Sequence, residues 1–138
     1  MRISLRAGEK IYLNGAVIAV DRKVSLELLN DATFLLEAHV MQAEAATTPL
    51  RQLYFVLQLM LMDPAGAQAS RREADRMFEN LDATFQNDDI TARLRRVRHS
   101  LELGKLFEAL KTLRAMFAQE DALMGAPLLE PATGRKSA

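Results

Sequence analysis

Apolar and polar positions alternate with a period of two through the first third of the chain, which is typical of β-strands. The Asn14-Gly15 dipeptide separates two of these alternations and favours a two-residue hairpin turn, because both central residues need positive φ. A further alternation at 24–28 and the apolar run 34–36, after the turn signal Asn30-Asp31, predict more strands. We expect about four to five short antiparallel strands in residues 1–46. The apolar positions of the first two strands are Ile3, Leu5, Ile11 and Leu13.

The apolar period changes to that of helices after residue 47, with leucines and aromatic residues at i, i+3, i+4 and i+7. Thr48 is a good N-cap, Pro49 suits the first helical position, and Gly104 is a typical C-terminal stop. The pattern predicts a bundle of about four helices in residues 47–124. The first three helices are expected to begin at Pro49, near Gln68, and after Asn87 or Asp88. The fourth is expected to run from Lys105 to Gln119. The stretch 37–46 fits either a strand extension or a helix start. The fold class is therefore α+β.

Composition and charge narrow the class of protein. The 138 residues suit one domain, and 49% of them are hydrophobic, which is enough to bury a modest core. Residues 125–138 contain Gly, Ala, Pro and Ser without a period, so a disordered tail is expected there. The absence of cysteine excludes disulfides and fits a reducing compartment. No signal peptide or membrane span is evident, so we expect a cytoplasmic location.

Charge is distributed unevenly although the net charge is zero. Residues 1–25 hold five basic and two acidic side chains, and residues 92–115 hold seven basic and two acidic ones. Basic groups with an aromatic ring are suited to RNA, because they contact phosphates and stack on an unpaired base. We define the strand patch as Arg2, Ser4, Arg6, Lys10, Tyr12, Arg22 and Lys23, and the helical patch as Arg93, Arg95, Arg96 and Arg98.

The two patches differ in how readily ordinary structure explains them. Arginines on the solvated side of an amphipathic helix need no function, so the helical patch is the secondary candidate. A solvated sheet face is usually mixed in sign, which makes a uniformly basic one more informative. We expect Arg6, Lys10 and Tyr12 to share one open surface of the sheet.

Catalytic motifs are missing from the sequence. The histidines, His39 and His99, stand apart from carboxylates at ligand or triad spacing. There is no metal-ligand cluster, phosphate-binding glycine loop or nucleophile elbow. We therefore expect neither an enzyme nor a bound cofactor or metal.

Three blocks of sequence carry a family resemblance: Arg2–Val17 (RISLRAGEKIYLNGAV), Asp21–Asp31 (DRKVSLELLND) and Val40–Pro64 (VMQAEAATTPLRQLYFVLQLMLMDP). The chain resembles the FlbT family, post-transcriptional regulators of flagellin synthesis in flagellated alphaproteobacteria. The resemblance implies a small protein that associates with the 5′ untranslated region of flagellin mRNA. It also implies altered stability or translation of that message, usually repression.

A second resemblance covers Arg6–Gly15 (RAGEKIYLNG), which is similar to the start of the carbon storage regulator family. That family also acts on message leaders, and its RNA-contacting first strand matches Ser4 and Arg6. It folds as a small all-β dimer, whereas this chain continues into helices, and the spacing to the second glycine differs by one residue.

An adaptor is the alternative to an RNA binder. Methionines suit adaptable surfaces that accept a partner helix, although ordinary core packing explains them as well. The FlbT resemblance implies FlaF, a second flagellin regulator, or flagellin itself as partners. The few strands of the sheet leave exposed edges, which favours a homodimer. The methionines concerned are Met41, Met60, Met62, Met77, Met116 and Met124.

Overall fold

The computed structural model describes residues 1–30 and 32–124 and consists of five strands followed by five helices. This confirms the predicted α+β class. The expected disordered tail at 125–138 and Asp31 of the predicted turn lie outside the described residues. The strands are β1 (Arg2–Leu5), β2 (Lys10–Leu13), β3 (Ala16–Ala19), β4 (Val24–Glu27) and β5 (Phe34–Leu36).

The first four strands form one long antiparallel hairpin that is bent in the middle. Its register is constant, since the numbers of paired residues always add to 29, from 2 with 27 at the base to 13 with 16 at the tip. Between the two ends, the N–H groups of Gly8 and Val20 donate to the carbonyls of Val20 and Glu9, which continues the ladder. The bend divides the ribbon into a two-stranded sheet, β1-β4, and a three-stranded sheet, β3-β2-β5.

The hairpin tip is the predicted Asn14-Gly15 turn, with φ of 48° and 88°. A Cβ on Gly15 would lie 3.1 Å from Cδ of Pro64, so a larger residue meets both backbone strain and a close neighbour. We expect Gly15→Ala to lower the free energy of unfolding by about 1–2 kcal/mol. Gly8→Ala is the matched control, because Gly8 also has positive φ (83°) but no neighbour within 4 Å of the added Cβ. Urea denaturation should give the larger loss for Gly15→Ala, and equal losses would show that Pro64 does not constrain the tip.

Five helices follow the strands: α1 (Pro49–Met62), α2 (Ala67–Thr84), α3 (Asp88–Glu102), α4 (Leu106–Arg114) and α5 (Phe117–Leu123). The predicted caps are confirmed, because Thr48 Oγ1 accepts from the N–H of Arg51 (3.3 Å) and Gly104, with φ of 73°, follows α3. Asn87 caps α3 by accepting from the N–H of Ile90 (3.0 Å). The ambiguous stretch 37–46 contains two short 3-10 turns, Glu37–His39 and Ala43–Ala45.

The prediction of a single fourth helix over 105–119 is wrong, because this stretch forms two helices, α4 and α5. The chain tightens after α4, where the N–H of Met116 donates to the carbonyl of Leu113 (2.9 Å). Met116 is fully buried at this break, so core packing overrides the helical pattern. Glu120 of α5 lies at the start of α1, where the N–H of Leu50 donates to it (2.7 Å).

Two apolar clusters hold the layers together. The bent hairpin encloses Ile3, Leu5, Ile11 and Phe34, and the Phe107 ring of α4 stacks on Phe34 with centroids 4.7 Å apart. The larger cluster combines the buried faces of the helices with Leu35, which lies on the other face of β5. The three-stranded sheet is therefore the middle layer, between the two-stranded sheet and the helices.

Candidate nucleic-acid interface

The arginines of the strand patch are exposed, but each lies beside a carboxylate. An exposed salt bridge of this kind contributes at most ~1 kcal/mol to stability, so a phosphate can displace the carboxylate from its arginine. Without a phosphate, the carboxylates neutralise the positive charge of the patch. The pairs are Arg2 with Glu27 (3.4 Å), Arg6 with Glu9 (3.5 Å) and Arg22 with Asp21 (3.3 Å).

Glu9 stabilises the turn between β1 and β2, of which it is itself a part. Glu9 Oε1 accepts from the backbone N–H of Arg6 at 2.6 Å. This hydrogen bond, with the nearby Arg6 guanidinium, lowers the pKa of Glu9 below its usual value. The charge of Arg6 is thus partly committed to the turn. The strand–turn–strand of the carbon storage regulator resemblance is present, but β1 pairs with β4 of the same chain.

The predicted common surface of Arg6, Lys10 and Tyr12 is wrong for Tyr12. Lys10 is exposed, whereas Tyr12 is partly buried and packs against the helical core. The reason is that the helices pack on the face of the three-stranded sheet that carries Tyr12 and its strand partner Leu35, whereas Arg2 and Ser4 of β1 remain exposed. Ser4 and Lys23 are exposed elsewhere on the ribbon. The structure therefore divides the strand patch and places its aromatic ring, which is partly buried, against the helical core.

The helical patch carries the less committed charge. The apolar side of α3 is buried, and it directs the arginines outward. Arg93 pairs with Asp89 (3.4 Å), and the Arg98 guanidinium lies 5.4 Å from the centroid of the Phe78 ring. Arg95 and Arg96 are exposed, and neither forms a salt bridge with any carboxylate of the described residues. Arg95 and Arg96 are thus available to phosphates, as are the exposed Lys10 and Lys23 of the strand patch, which also form no salt bridge with the described residues.

A buried carboxylate that the sequence did not single out joins the two ends of the helical region. Glu120 is fully buried and accepts from Thr48 Oγ1 (2.5 Å), Leu50 N–H (2.7 Å) and Arg51 (3.2 Å). Arg51 also makes two hydrogen bonds with Asp121, at 2.8 and 3.0 Å. We name these five residues the Glu120 clamp. Its sequence signal was hidden because Glu120 lies beyond the predicted helix end at Gln119.

Two polar residues of α1 anchor the segment 37–46. The Tyr54 hydroxyl donates to the carbonyl of His39 (2.6 Å) and accepts from Arg114 (3.0 Å). The Gln58 amide exchanges two hydrogen bonds with the backbone of Met41, at 2.7 and 2.8 Å. Burial raises the pKa of Tyr54, while loss of hydration and then the charge of Arg114 lower the pKa of His39. The segment is therefore held against α1, and the lowered pKa favours the neutral form of His39.

Two further features of the described ranges concern metal binding and membrane spans. Within residues 1–30 and 32–124, no three His, Cys, Asp or Glu side chains are grouped so that they could hold a metal ion. Over the same ranges, none of the helices is both long enough and apolar enough to cross a membrane.

The chain is similar to a known protein family over most of its length. The sequence profile of the family described as "Flagellar protein FlbT" matches residues 1–124, the sheets and the helices together. The chain belongs to the FlbT family. The match extends the FlbT resemblance beyond Pro64 to the end of α5. No solved structure matches the chain.

Three FlbT relatives share at least half of their aligned residues with the chain. A protein of Brucella anthropi is 52% identical over 140 residues, which cover 100% of this chain and 92% of the relative. One of Chelativorans sp. is 56% identical, with 91% and 86% covered, and one of Brucella ovis is 53% identical, with 96% and 88% covered. Each relative is named "Probable flagellum biosynthesis repressor protein FlbT".

Proposed function

We propose that this FlbT-family chain represses flagellum biosynthesis after transcription, by binding the 5′ leader of flagellin mRNA. The names of the relatives support the repressor role. The observation that carries the RNA-binding step is the pair Arg95 and Arg96, which are exposed on α3 without a salt bridge to the described residues. Guanidinium groups bind phosphates through paired N–H donors, and a chain of zero net charge must rely on such local groups.

The mechanism proposed is occlusion. Phosphate contacts fix a protein on its nucleic acid without cutting it, and a protein seated on a leader blocks the ribosome or presents the message to a cellular nuclease. We do not expect this chain to cleave RNA itself. That the chain acts in the cytoplasm and that it has no enzymatic activity remain predictions.

A salt-titrated binding assay with a flagellin 5′ leader tests the proposal. We expect the purified chain to bind alone, with log K falling against log salt concentration at a slope of about −0.7 for each phosphate contacted. Two to four contacts give a slope of roughly −1.4 to −3. A flat response, or binding only after FlaF is added, would overturn direct RNA binding in favour of an adaptor.

The structure gives the adaptor alternative less support than the sequence did. Met116 is fully buried, and four other methionines of the set pack against the helical core. Met124 is exposed (51%). A methionine-rich docking surface is therefore not present among the described residues, and FlaF and flagellin remain partners to be tested in the same assay.

We also propose a homodimer through the edge of β3. Every residue of this strand is exposed, with Val17 at 61% and Ile18 at 38%, and within the described residues only β2 pairs with it. The strand AVIA has no charge or proline, the features that normally prevent edges from pairing. A second copy of β3 matches it by two-fold symmetry, because an antiparallel pair of identical strands is self-complementary.

Val17→Lys is expected to convert the dimer into a monomer, because it places a charge on the pairing edge. Analytical ultracentrifugation at tens of micromolar protein measures the change. Leu29→Lys is the control, because Leu29 is more exposed (89%) but lies outside the strands. A wild-type chain that sediments as a monomer would refute the dimer.

A further inference from the structure

A shallow cavity of about 340 Å³, open to solvent on one side, lies between the anchored segment 37–46 and the helices α1, α4 and α5. Its apolar part includes Val40, Met41 and Phe117, and its polar part includes His39, Gln42 and Arg114. The volume and the mixture of walls fit one small planar group that carries a charge. Neither patch of basic residues includes this cavity.

Arg114 is the feature of the cavity that points to a ligand. It is partly buried, its one hydrogen bond to the described residues goes to the Tyr54 hydroxyl (3.0 Å), and it forms no salt bridge with them. Arg51, also partly buried, is by contrast paired with two carboxylates of the Glu120 clamp. A guanidinium has five N–H donors, so Arg114 retains donors for an anion at the cavity wall.

The remaining polar groups distinguish between ligands. The carbonyl of His39 and both backbone groups of Met41 are already bonded to Tyr54 and Gln58, which disfavours an extended peptide that would add here by main-chain pairing. The side chains of His39 and Gln42 are still available. A neutral imidazole and an amide each offer a donor and an acceptor, which are the groups that recognise the edge of a nucleobase.

We propose that this cavity binds one nucleotide, with its phosphate on Arg114 and its base against the apolar walls, within reach of His39 and Gln42. The nucleotide is either an unpaired residue of an RNA leader or a free mononucleotide. The RNA source rests on the proposed function, whereas the free source does not.

Two titrations on each variant test the nucleotide cavity. Isothermal calorimetry with AMP, GMP, CMP and UMP measures the free nucleotides, and fluorescence anisotropy measures a single-stranded flagellin leader. Arg114→Met should weaken whichever of these ligands binds wild type by about tenfold or more, because it removes a charge-assisted contact. Lys111→Met is the matched control, since it removes an exposed charge from the same helix without touching the cavity.

Two further variants separate the site from the fold. Arg114→Lys keeps a positive charge at the cavity wall, so it should retain part of the binding that Arg114→Met loses, which a purely structural role of Arg114 would not predict. Gln42→Ala changes an exposed cavity side chain that packs in neither apolar cluster, and it should weaken binding selectively for one base. Thermal unfolding of each variant checks its fold, and Gln42→Ala keeps the test valid if Arg114→Met does not fold.

The outcomes distinguish the two proposals. Mononucleotide binding that needs Arg114, with no leader binding, supports the cavity and refutes the proposed function. Leader binding that is equal in wild type, Arg114→Met and Gln42→Ala, with no mononucleotide binding, refutes the cavity and leaves the proposed function standing. Loss of leader binding in Arg114→Met and Gln42→Ala, but not in Lys111→Met, supports both. Binding of neither ligand to wild type refutes both.

Discussion

Glu120→Ala should lower the free energy of unfolding by about 3–5 kcal/mol, which is a large part of the stability of a domain of this size. The carboxylate is fully buried and accepts from three groups at the start of α1. Its removal leaves the N–H of Leu50, itself fully buried, without this partner. It also removes one of the two carboxylates that face Arg51. Each such loss is costly because a buried donor cannot return to water.

Asp121→Ala is the control for this prediction. Asp121 binds the same arginine, but its side chain is 41% exposed, so we expect a loss of about 1 kcal/mol. Glu120→Gln should fall between the two, since an amide oxygen can still accept from Leu50. Urea denaturation followed by circular dichroism at 222 nm measures all three. A Glu120→Ala loss no larger than that of Asp121→Ala would show that the Glu120 clamp does not hold the helices together.

Local signals in the sequence were sufficient for the hairpin turn and for the ends of α1 and α3 that carry a capping residue. Thr48, Asn87 and Gly104 act on residues within one helical turn, and Asn14-Gly15 defines a turn by its own backbone preference. The Glu120 clamp had no such signal, because Glu120 and Leu50 are 70 residues apart in sequence. The break at Met116 is also invisible locally, since it depends on what the methionine packs against. Long-range packing therefore accounts for what the sequence could not predict about the fold.

The same distinction between local signals and long-range contacts applies to the candidate interface. The sequence identified every basic residue of both patches, and the period of α3 correctly directed its arginines to solvent. It could not show that Arg2 faces Glu27 across a strand pair, because that contact depends on the register. Nor could it show that the helices pack against Tyr12. Arg114 was counted only as one of seven basic residues in 92–115, although its surroundings distinguish it from the others.

The charge reversal Arg95→Glu with Arg96→Glu should weaken binding of a flagellin leader by about a hundredfold at 0.1 M salt, from two lost phosphate contacts and two new repulsions. The salt dependence should change as well, with a slope smaller by about 1.4, since each contact to a single strand contributes about 0.7. Both side chains are exposed, so the fold should be retained. Circular dichroism of the wild type and the variant tests whether the fold is retained.

Arg6→Glu with Lys10→Glu is the matched control, because it makes the same change of four charges on the strand patch. If α3 carries the binding, this variant should lose less than tenfold, an effect of the general field rather than of contact. Fluorescence anisotropy over a range of salt separates the two effects, because a lost contact changes the slope. A larger loss from the strand variant would return the interface to β1 and β2. Equal losses with unchanged slopes would show that neither pair touches phosphate, and would favour a partner such as FlaF as the RNA-contacting component.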